Sequence, residues 1–470
     1  MSFLPSPTDT TRISVLSKYF NSIWRSFPIL AFRRSLLYRM TFSEFANFVL
    51  KSIAGYKTSA TSTRLQKFSF ESHYSCLLAL DGRVDYMLNF ALQNKVQELK
   101  LDFDRNYTYY RFPEAIFSAN QIISLDLRGL RLEPPHITLS CPAIENFSLE
   151  DCHGLTSIIL RGTSLKQVKL VRCPDLRKFH IEGPTSVEHV TYGGHTKWLS
   201  KCEMNIASCY KSIKVLELID EWTGREWLET HSCVLHNLEK LIVTRCNFRW
   251  NNARLCLDKL KSVVLKDCDI EAGDIEAPNL VWFEYWSYTT KVDRRTFSIS
   301  STSSLLNVKL LFNYDKYYPL DYPASEYLEK LVRPFRNFQK ITLACTTYQE
   351  LVGLYYETAG SVLHAIKYLN IELEEEIPTR EIWILVDSML LFAPRPSIIS
   401  ITTYDRPLIR SIKFACWQGS NFKEVILENF DDTENNVLAE YFCKTCKVVR
   451  FVKNITATNH PKKEYGLREL

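Results

Sequence analysis

Apolar side chains recur along most of this chain in one figure, L-x-x-L-x-L, with Leu, Ile, Val or Phe at the three apolar places. Copies stand at Val96–Leu101, Ile122–Leu127, Ile144–Leu149, Leu165–Leu170, Ile213–Leu218, Leu238–Val243 and Leu260–Leu265. Looser copies follow at Leu305–Leu310, Phe338–Leu343, Ile366–Ile371 and Phe422–Leu427. Side chains alternate across a strand, so the last two apolar residues of each copy enter one core and the residues between them face out. A unit this small cannot bury its apolar face alone and must stack on copies of itself.

Between residues 143 and 192 the spacing tightens. Phe147, Ile158, Val168, Phe179 and Val190 fall ten or eleven residues apart, half of a usual repeat of roughly 20–29. Two strands per coil, one on each side, satisfy this spacing. The connectors His153-Gly154, Arg161-Gly162, Cys173-Pro174 and Glu182-Gly183-Pro184 carry the Gly or Pro that tight corners need. This stretch is therefore expected to hold strands, not helices, on its second side. Where the apolar period changes to 3.6 the pattern predicts helices, at Phe42–Ile53, Val84–Leu92, Glu326–Val332, Leu351–Leu363, Glu381–Phe392 and Glu434–Phe442. The last of these follows a cap-like Asp431-Asp432-Thr433.

Four copies run on as L-x-L-x-x-C, ending at Cys152, Cys173, Cys246 and Cys268. In leucine-rich repeats this place is Asn or Cys, a buried side chain that satisfies backbone groups where the chain leaves the strand. The four thiols are expected to be buried, reduced and structural. The fold class predicted is an α/β repeat, a leucine-rich-repeat solenoid.

Composition narrows the function. With 46% hydrophobic and 24% charged residues, the 470-residue chain has the make-up of a well-cored soluble protein. Its net charge of +5 arises from 58 basic and 53 acidic residues with no basic block, too even a balance for a nucleic-acid footprint. The opening MSFLPSPTDTTR has neither the basic nor the apolar part of a secretory signal. The longest apolar stretch, Ile382 to Ala393, is interrupted by Asp387 and too short to cross a bilayer. No membrane partner is expected, and the cytoplasm or nucleus is the expected location, where disulfides are rare.

Ser2 to Pro28 reads SFLP-x6-R-x-SVLSK-x-F-x3-W-x-S-x-P. This resembles the second half of the F-box found in plant F-box/leucine-rich-repeat proteins, many of which end in an FBD domain. Arg83 to Asp102 is similar to the helix and strand that open their repeats, and Phe112-Pro113 through Pro134-Pro135 to Cys152 is similar to the early repeats of that family. Phe422 to Phe430 with Thr433-Glu-Asn resembles an FBD segment. The resemblance implies a helical, partial F-box at 1–35, a helical linker leading into the repeats at 36–95, the repeats at 96–345, a helical segment with late repeats at 346–400 and an FBD-like segment at 401–470. It also implies that Leu4, Pro5, Val15, Leu16, Ser17 and Trp24 dock a Skp-type adaptor of a cullin-based ubiquitin ligase. The Leu-Pro-Asp-x-Ile-Leu helix that normally opens an F-box is not found before Leu4, so the box is a remnant. Two or three lost apolar side chains at about 1.5–3 kcal/mol each could remove most of a micromolar affinity, itself about 8 kcal/mol. Retained docking and a scaffold that has lost its adaptor both stay open, as does simple packing of Leu16 and Trp24 onto the first repeat.

No motif for nucleotide, zinc-protease or serine-hydrolase chemistry occurs in the chain. Cys443-Lys-Thr-Cys446 is a lone C-x-x-C without a second pair. A stacked-strand polysaccharide enzyme would need carboxylates clustered on consecutive strands. The outward Glu98, Lys100, Asp102, Asp126, Arg128, Lys169 and Lys240 mix signs instead. The expectation is a non-enzymatic receptor, without cofactor or metal, that captures a protein target. Leu280-Val-Trp-Phe-Glu-Tyr-Trp286 marks the surface: Leu280, Phe283 and Tyr285 take inward places, and Trp282, Glu284 and Trp286 line the open face as target-binding candidates. The alternative is that Thr289 to Thr302 folds over both indoles and makes them core.

Overall fold

The structure is a computed structural model. It describes residues 28–33, 42–57, 65–72, 81–103, 108–194, 202–219, 230–248, 254–270, 272–287, 296–300, 307–312, 332, 335, 338–352, 365–375, 377–378, 381–393, 396–405, 408–418, 421–428, 438, 442, 446–452 and 464–469. Two compact units divide the chain, Met1–Gly224 and Arg225–Leu470.

In the first unit, strands β1 (Ile29–Arg33), β2 (Lys67–Ser72) and β3 (Glu98–Phe103) open a parallel ladder. Helices α1 (Phe42–Lys57) and α2 (Asp81–Gln93) alternate with them. Beyond the short β4 (Thr108–Arg111), the ladder continues through β5 (Ser124–Arg128). After β6 (Leu130–Arg131) and β7 (His136–Leu139), the chain alternates between two ladders: β8 (Asn146–Glu150), β9 (Ser157–Arg161), β10 (Gln167–Val171), β11 (Lys178–Glu182), β12 (His189–Gly193), β13 (Glu203–Asn205) and β14 (Val215–Ile219). Strands β5, β8, β10, β12 and β14 pair in register on one side. Strands β7, β9, β11 and β13 do so on the other. The stretch 155–162 is strand β9 flanked by turns, as the halved spacing predicts.

The second and fourth residue of each main strand point inward. Phe147, Leu149, Val168 and Leu170 are buried from the first ladder, and Ile158 and Leu160 from the second. Phe179 and Tyr192 stack across the core between the two ladders, their centroids 6.2 Å apart. Each such side chain contributes about 1.5–3 kcal/mol by leaving water, provided its neighbours stack in the same register.

The second unit repeats the scheme. Its main ladder runs parallel through β15 (Lys240–Thr244), β18 (Ser262–Lys266), β21 (Trp282–Ser287), β23 (Asn307–Phe312), β24 (Lys340–Cys345), β25 (Tyr368–Leu373) and β26 (Ile398–Asp405). The pairs β16 (Asn247–Phe248) with β19 (Asp269–Ile270), and β17 (Arg254–Cys256) with β20 (Ala272–Glu276) and β22 (Thr296–Ser300), form smaller ladders beside it. Helices α3 (Gln349–Val352) and α4 (Ile382–Phe392) lie between the late strands. The ladder then turns antiparallel at β27 (Leu408–Gln418) and β28 (Asn421–Glu428) and closes with β29 (Cys446–Val452) and β30 (Glu464–Glu469). Strands in long parallel sheets, with few helices, are the architecture of a leucine-rich-repeat-like α/β fold.

Two differences from the sequence-based expectation concern the start of the ladder. Ile29–Arg33 is a strand inside the stretch expected to be a partial, helical F-box, and Lys67–Ser72 places a ladder strand already within the stretch expected to be helical linker and entry to the repeats. Both belong to the ladder because Phe27-x-x-Leu30-x-Phe32 and Leu65-x-x-Phe68-x-Phe70 repeat the apolar figure with Phe in place of Leu. Phe68 and Phe70 are buried, with Phe70 packed on Phe45 of α1 and Phe68 near Phe90 of α2 (centroids 5.5 and 6.3 Å). Leu4, Pro5, Val15, Leu16, Ser17 and Trp24 lie outside the described residues, as do Cys443 and most of the helices predicted at 326–332, 351–363 and 434–442.

The strands end in a shared turn. Asp151, Arg172, Arg245 and Asp267 all adopt φ of 53–54°, the left-handed region that costs a non-glycine residue roughly 1–2 kcal/mol. Their backbone N–H groups reach a carbonyl at the end of the next strand: Asp151 to Val171 (3.0 Å), Arg172 to Gly193 (3.0 Å), Arg245 to Lys266 (2.7 Å) and Asp267 to Trp286 (2.9 Å). The kink throws the following Cys inward. Cys152 approaches the Leu127 and Glu150 carbonyls at 3.5 Å each, and Cys268 those of Val243 (3.4 Å) and Lys266 (3.2 Å). Cys173 and Cys246 make equivalent contacts. Burial pushes the Cys268 thiol up to about 12 and raises Cys152 as well.

All four thiols are buried and are therefore expected to label slowly with a maleimide in the native protein, while the exposed Cys233 and Cys256 label fast. Each Cys→Ala variant should lose about 1–3 kcal/mol in denaturant melts, the cost of a lost buried partner. Fast labelling of the buried set would contradict the assignment.

Candidate functional site

The outward residues of the ladders carry no share of the core, so their chemistry is free to serve binding. In the first unit they form a polar groove of about 480 Å³ with small residues such as Ser124, Asn146 and Ser148 on its floor. Its rim is a line of opposed charges. Lys100 reaches Glu71 (3.1 Å) and Lys169 reaches Glu150 (2.7 Å), while Arg128 lies 3.5–3.8 Å from Asp102, Glu150 and Asp151. Arg172 grips Asp151 at 2.6 Å and also pairs with Glu150. Burial disfavours the Glu150 carboxylate, but Lys169, Arg128 and Arg172 outweigh it and hold its pKa below the ordinary value. The mixed signs expected from sequence are thus mostly a structural ion network. Among the described residues no group of three or more His, Cys, Asp or Glu could hold a metal ion.

The second unit presents the tryptophans. Phe283 and Tyr285 are fully buried, and the Tyr285 hydroxyl donates to the Cys268 carbonyl at 3.3 Å. The alternation therefore places Trp282, Glu284 and Trp286 together on the outward face, as the period of two predicts. Trp282 is 36% exposed, and Trp286 and Glu284 are partly exposed. Of the candidate cover, Thr289 to Thr302, only Thr296–Ser300 is among the described residues, and it pairs with Ala272–Glu276 in a smaller ladder. Trp282 Nε1 donates to Glu284 Oε2 at 3.2 Å, and Trp286 Nε1 donates to Glu284 Oε1. One carboxylate thus pins both indoles. The Lys266 ammonium sits 4.3 Å from the centre of the Trp286 ring.

Two features of this site are not foreseen from sequence. The position just before β8, β10, β12, β14, β15 and β18 alternates in charge, with Lys166 bound to Glu145 (2.9 Å), Lys214 to Glu188 (2.8 Å) and Lys261 to Glu239 (2.9 Å). Position 281 is next in that series, and it is Val, 43% exposed beside Trp282. The signal was legible as a break in the series. The second is Lys309, opposite Glu284 in register, which turns away and pairs with Glu372 at 2.5 Å, two strands further on. Thr342 and Ala344, on the strand between, are small enough to let it cross.

No protein-family model matches this chain. The chain is 25% identical over 211 residues to F-box/LRR-repeat protein 25 of Arabidopsis thaliana, an alignment that spans 45% of this chain and 73% of the relative. It is 26% identical over 180 residues to another Arabidopsis thaliana F-box/LRR-repeat protein, spanning 37% of this chain and 36% of that one. Both relatives support the resemblance to plant F-box/leucine-rich-repeat proteins.

The rim network yields a test of its own. Arg172→Ala should destabilise the protein by about 1–3 kcal/mol, because Asp151 and Glu150 then stay partly buried with one cation fewer beside them. Glu150, with its folded-state pKa below its unfolded one, contributes stability that is complete above the ordinary glutamate pKa and is lost as pH falls through the lower folded value. Denaturation midpoints measured from pH 7 to pH 3 should therefore drop at the acid end, and drop less in Glu150→Gln.

Proposed function

We propose that this chain is the target-recognition subunit of a Skp–cullin–F-box ubiquitin ligase, acting in the cytoplasm or nucleus. In this reading the ladders form a leucine-rich-repeat solenoid that holds a protein target. Residues 1–35 act as the F-box segment that meets the adaptor, and 401–470 form an FBD-like end. The chain supplies no catalytic side chain: bringing target and ligase together raises their effective concentration, and transfer follows. The observation that carries the reading is the in-register parallel ladder with interface-type residues, Trp282, Glu284 and Trp286, on its outward face. The F-box/LRR-repeat relatives point to the ligase. Tryptophan is a common anchor of protein interfaces, and removing one often costs 2 kcal/mol or more.

Purified full chain should retain adaptor and cullin on a pull-down, and a chain lacking residues 1–35 should not. Leu16→Ala and Trp24→Ala should each weaken that retention while leaving the thermal unfolding of the ladders unchanged. Absence of adaptor binding in the parent chain would replace this reading with that of a repeat scaffold lacking a ligase role.

A further inference from the structure

The tryptophan site carries a more specific chemistry than a greasy anchor. Glu284 is a carboxylate that makes no ion pair among the described residues, although Lys266 and Lys309 stand on the strands to either side. Its cross-strand neighbours explain this: Val264 on one side is apolar, and Lys309 on the other is committed to Glu372. The two indole N–H groups use one acceptor position on each carboxylate oxygen. A carboxylate offers about four such positions, so each oxygen keeps one free. That is the acceptor pattern of a bidentate guanidinium fork.

The rings complete the arrangement. Lys266 already rests on Trp286 at 4.3 Å, so one indole held by Glu284 has a cation over its face. Trp282 has no such occupant among the described residues and is the more exposed ring. Val281 next to it adds an apolar edge where the charge series would have placed an acid.

We propose that Trp282 and Glu284, with Trp286 as the second clasp of the carboxylate, receive an arginine side chain of the bound partner protein. The guanidinium stacks on Trp282 and donates two parallel hydrogen bonds to Glu284, and its aliphatic stem lies along Val281. Lysine fits less well, since a single ammonium cannot make the fork and the stack together. The assignment rests on the receptor reading above, and gives it the chemistry of the residue recognised.

The test uses the full chain and three end-capped peptides of equal length, rich in arginine, lysine or glutamate, with binding read from tryptophan fluorescence and confirmed by calorimetry. The arginine peptide should bind at least about tenfold tighter than the lysine peptide, the difference expected of one charge-assisted pair, and the glutamate peptide should not bind. Trp282→Ala and Glu284→Gln should each reduce arginine-peptide binding about tenfold or more. Trp282→Phe, which keeps a ring to stack on, should fall between parent and Trp282→Ala, and circular dichroism confirms that each variant is folded. Equal or tighter binding of the glutamate peptide, or arginine binding unchanged in Glu284→Gln, overturns the assignment. If the arginine preference is absent while a Trp282→Ala/Trp286→Ala double variant still recovers less target from plant extract, the arginine assignment fails and the receptor reading stands. If the double variant recovers its target undiminished, the receptor reading fails at this surface and the arginine assignment with it.

Discussion

Everything in this protein depends on two inward side chains per strand meeting the same two on the next strand. Leu125 and Leu127 lie against Phe147 and Leu149, and these against Val168 and Leu170, with no offset between strands. A slip of one residue would turn each pair to solvent and bring Asp126, Ser148 and Lys169 into the core. The cost of such a slip is shared by every strand at once, which makes register the most strongly specified property of the fold. The same constraint divides the residues into two populations. Inward places are held to Leu, Ile, Val, Phe and an occasional Tyr, while outward places are left to whatever the surface requires.

The turn at the strand ends is the second consequence of register. Asp151, Arg172, Arg245 and Asp267 accept a left-handed backbone because their N–H groups extend the ladder by one more bond. Gly129 takes the same place at φ 69° after β5, and its N–H reaches Glu150. The strain is local and the return is a Cys directed at carbonyls that would otherwise face a dry interior. At Asp267 burial also opposes the charge and raises the pKa despite Arg245 and Lys266 nearby, so this turn holds an acid in a setting that suits it poorly.

The fold was legible to the extent that it is written in spacing. Period two gave the inward and outward sets, and the halved repeat from 143 to 192 gave two strands per coil. Cys152, Cys173, Cys246 and Cys268 marked the strand ends. The first strands were missed at Leu30, Phe32, Phe68 and Phe70, where aromatic residues replace leucine and helices interrupt the series. The left-handed residues left no trace, since Asp and Arg do not announce that conformation as Gly does. At the site, the outward placement of Trp282, Glu284 and Trp286 followed from alternation alone. That one carboxylate joins both indoles, and that Lys309 leaves it for Glu372, depends on rotamers and on the size of Thr342 and Ala344. No spacing rule carries that information.

The alternating charges before the strands bear on how such an array can change in length. In the first unit Glu145, Lys166, Glu188 and Lys214 stand on successive coils, the backbone bonds Lys166 to Glu145 and Glu188 to Lys166 each being 2.8 Å. Removing one coil would set Glu against Glu or Lys against Lys along that edge, whereas removing two would restore opposite neighbours. Like charges directly opposed on adjacent strands cost a few tenths of a kcal/mol and upward. The array thus has a parity: gain or loss of coils in pairs leaves this edge intact, and an odd change leaves a mismatch at the junction.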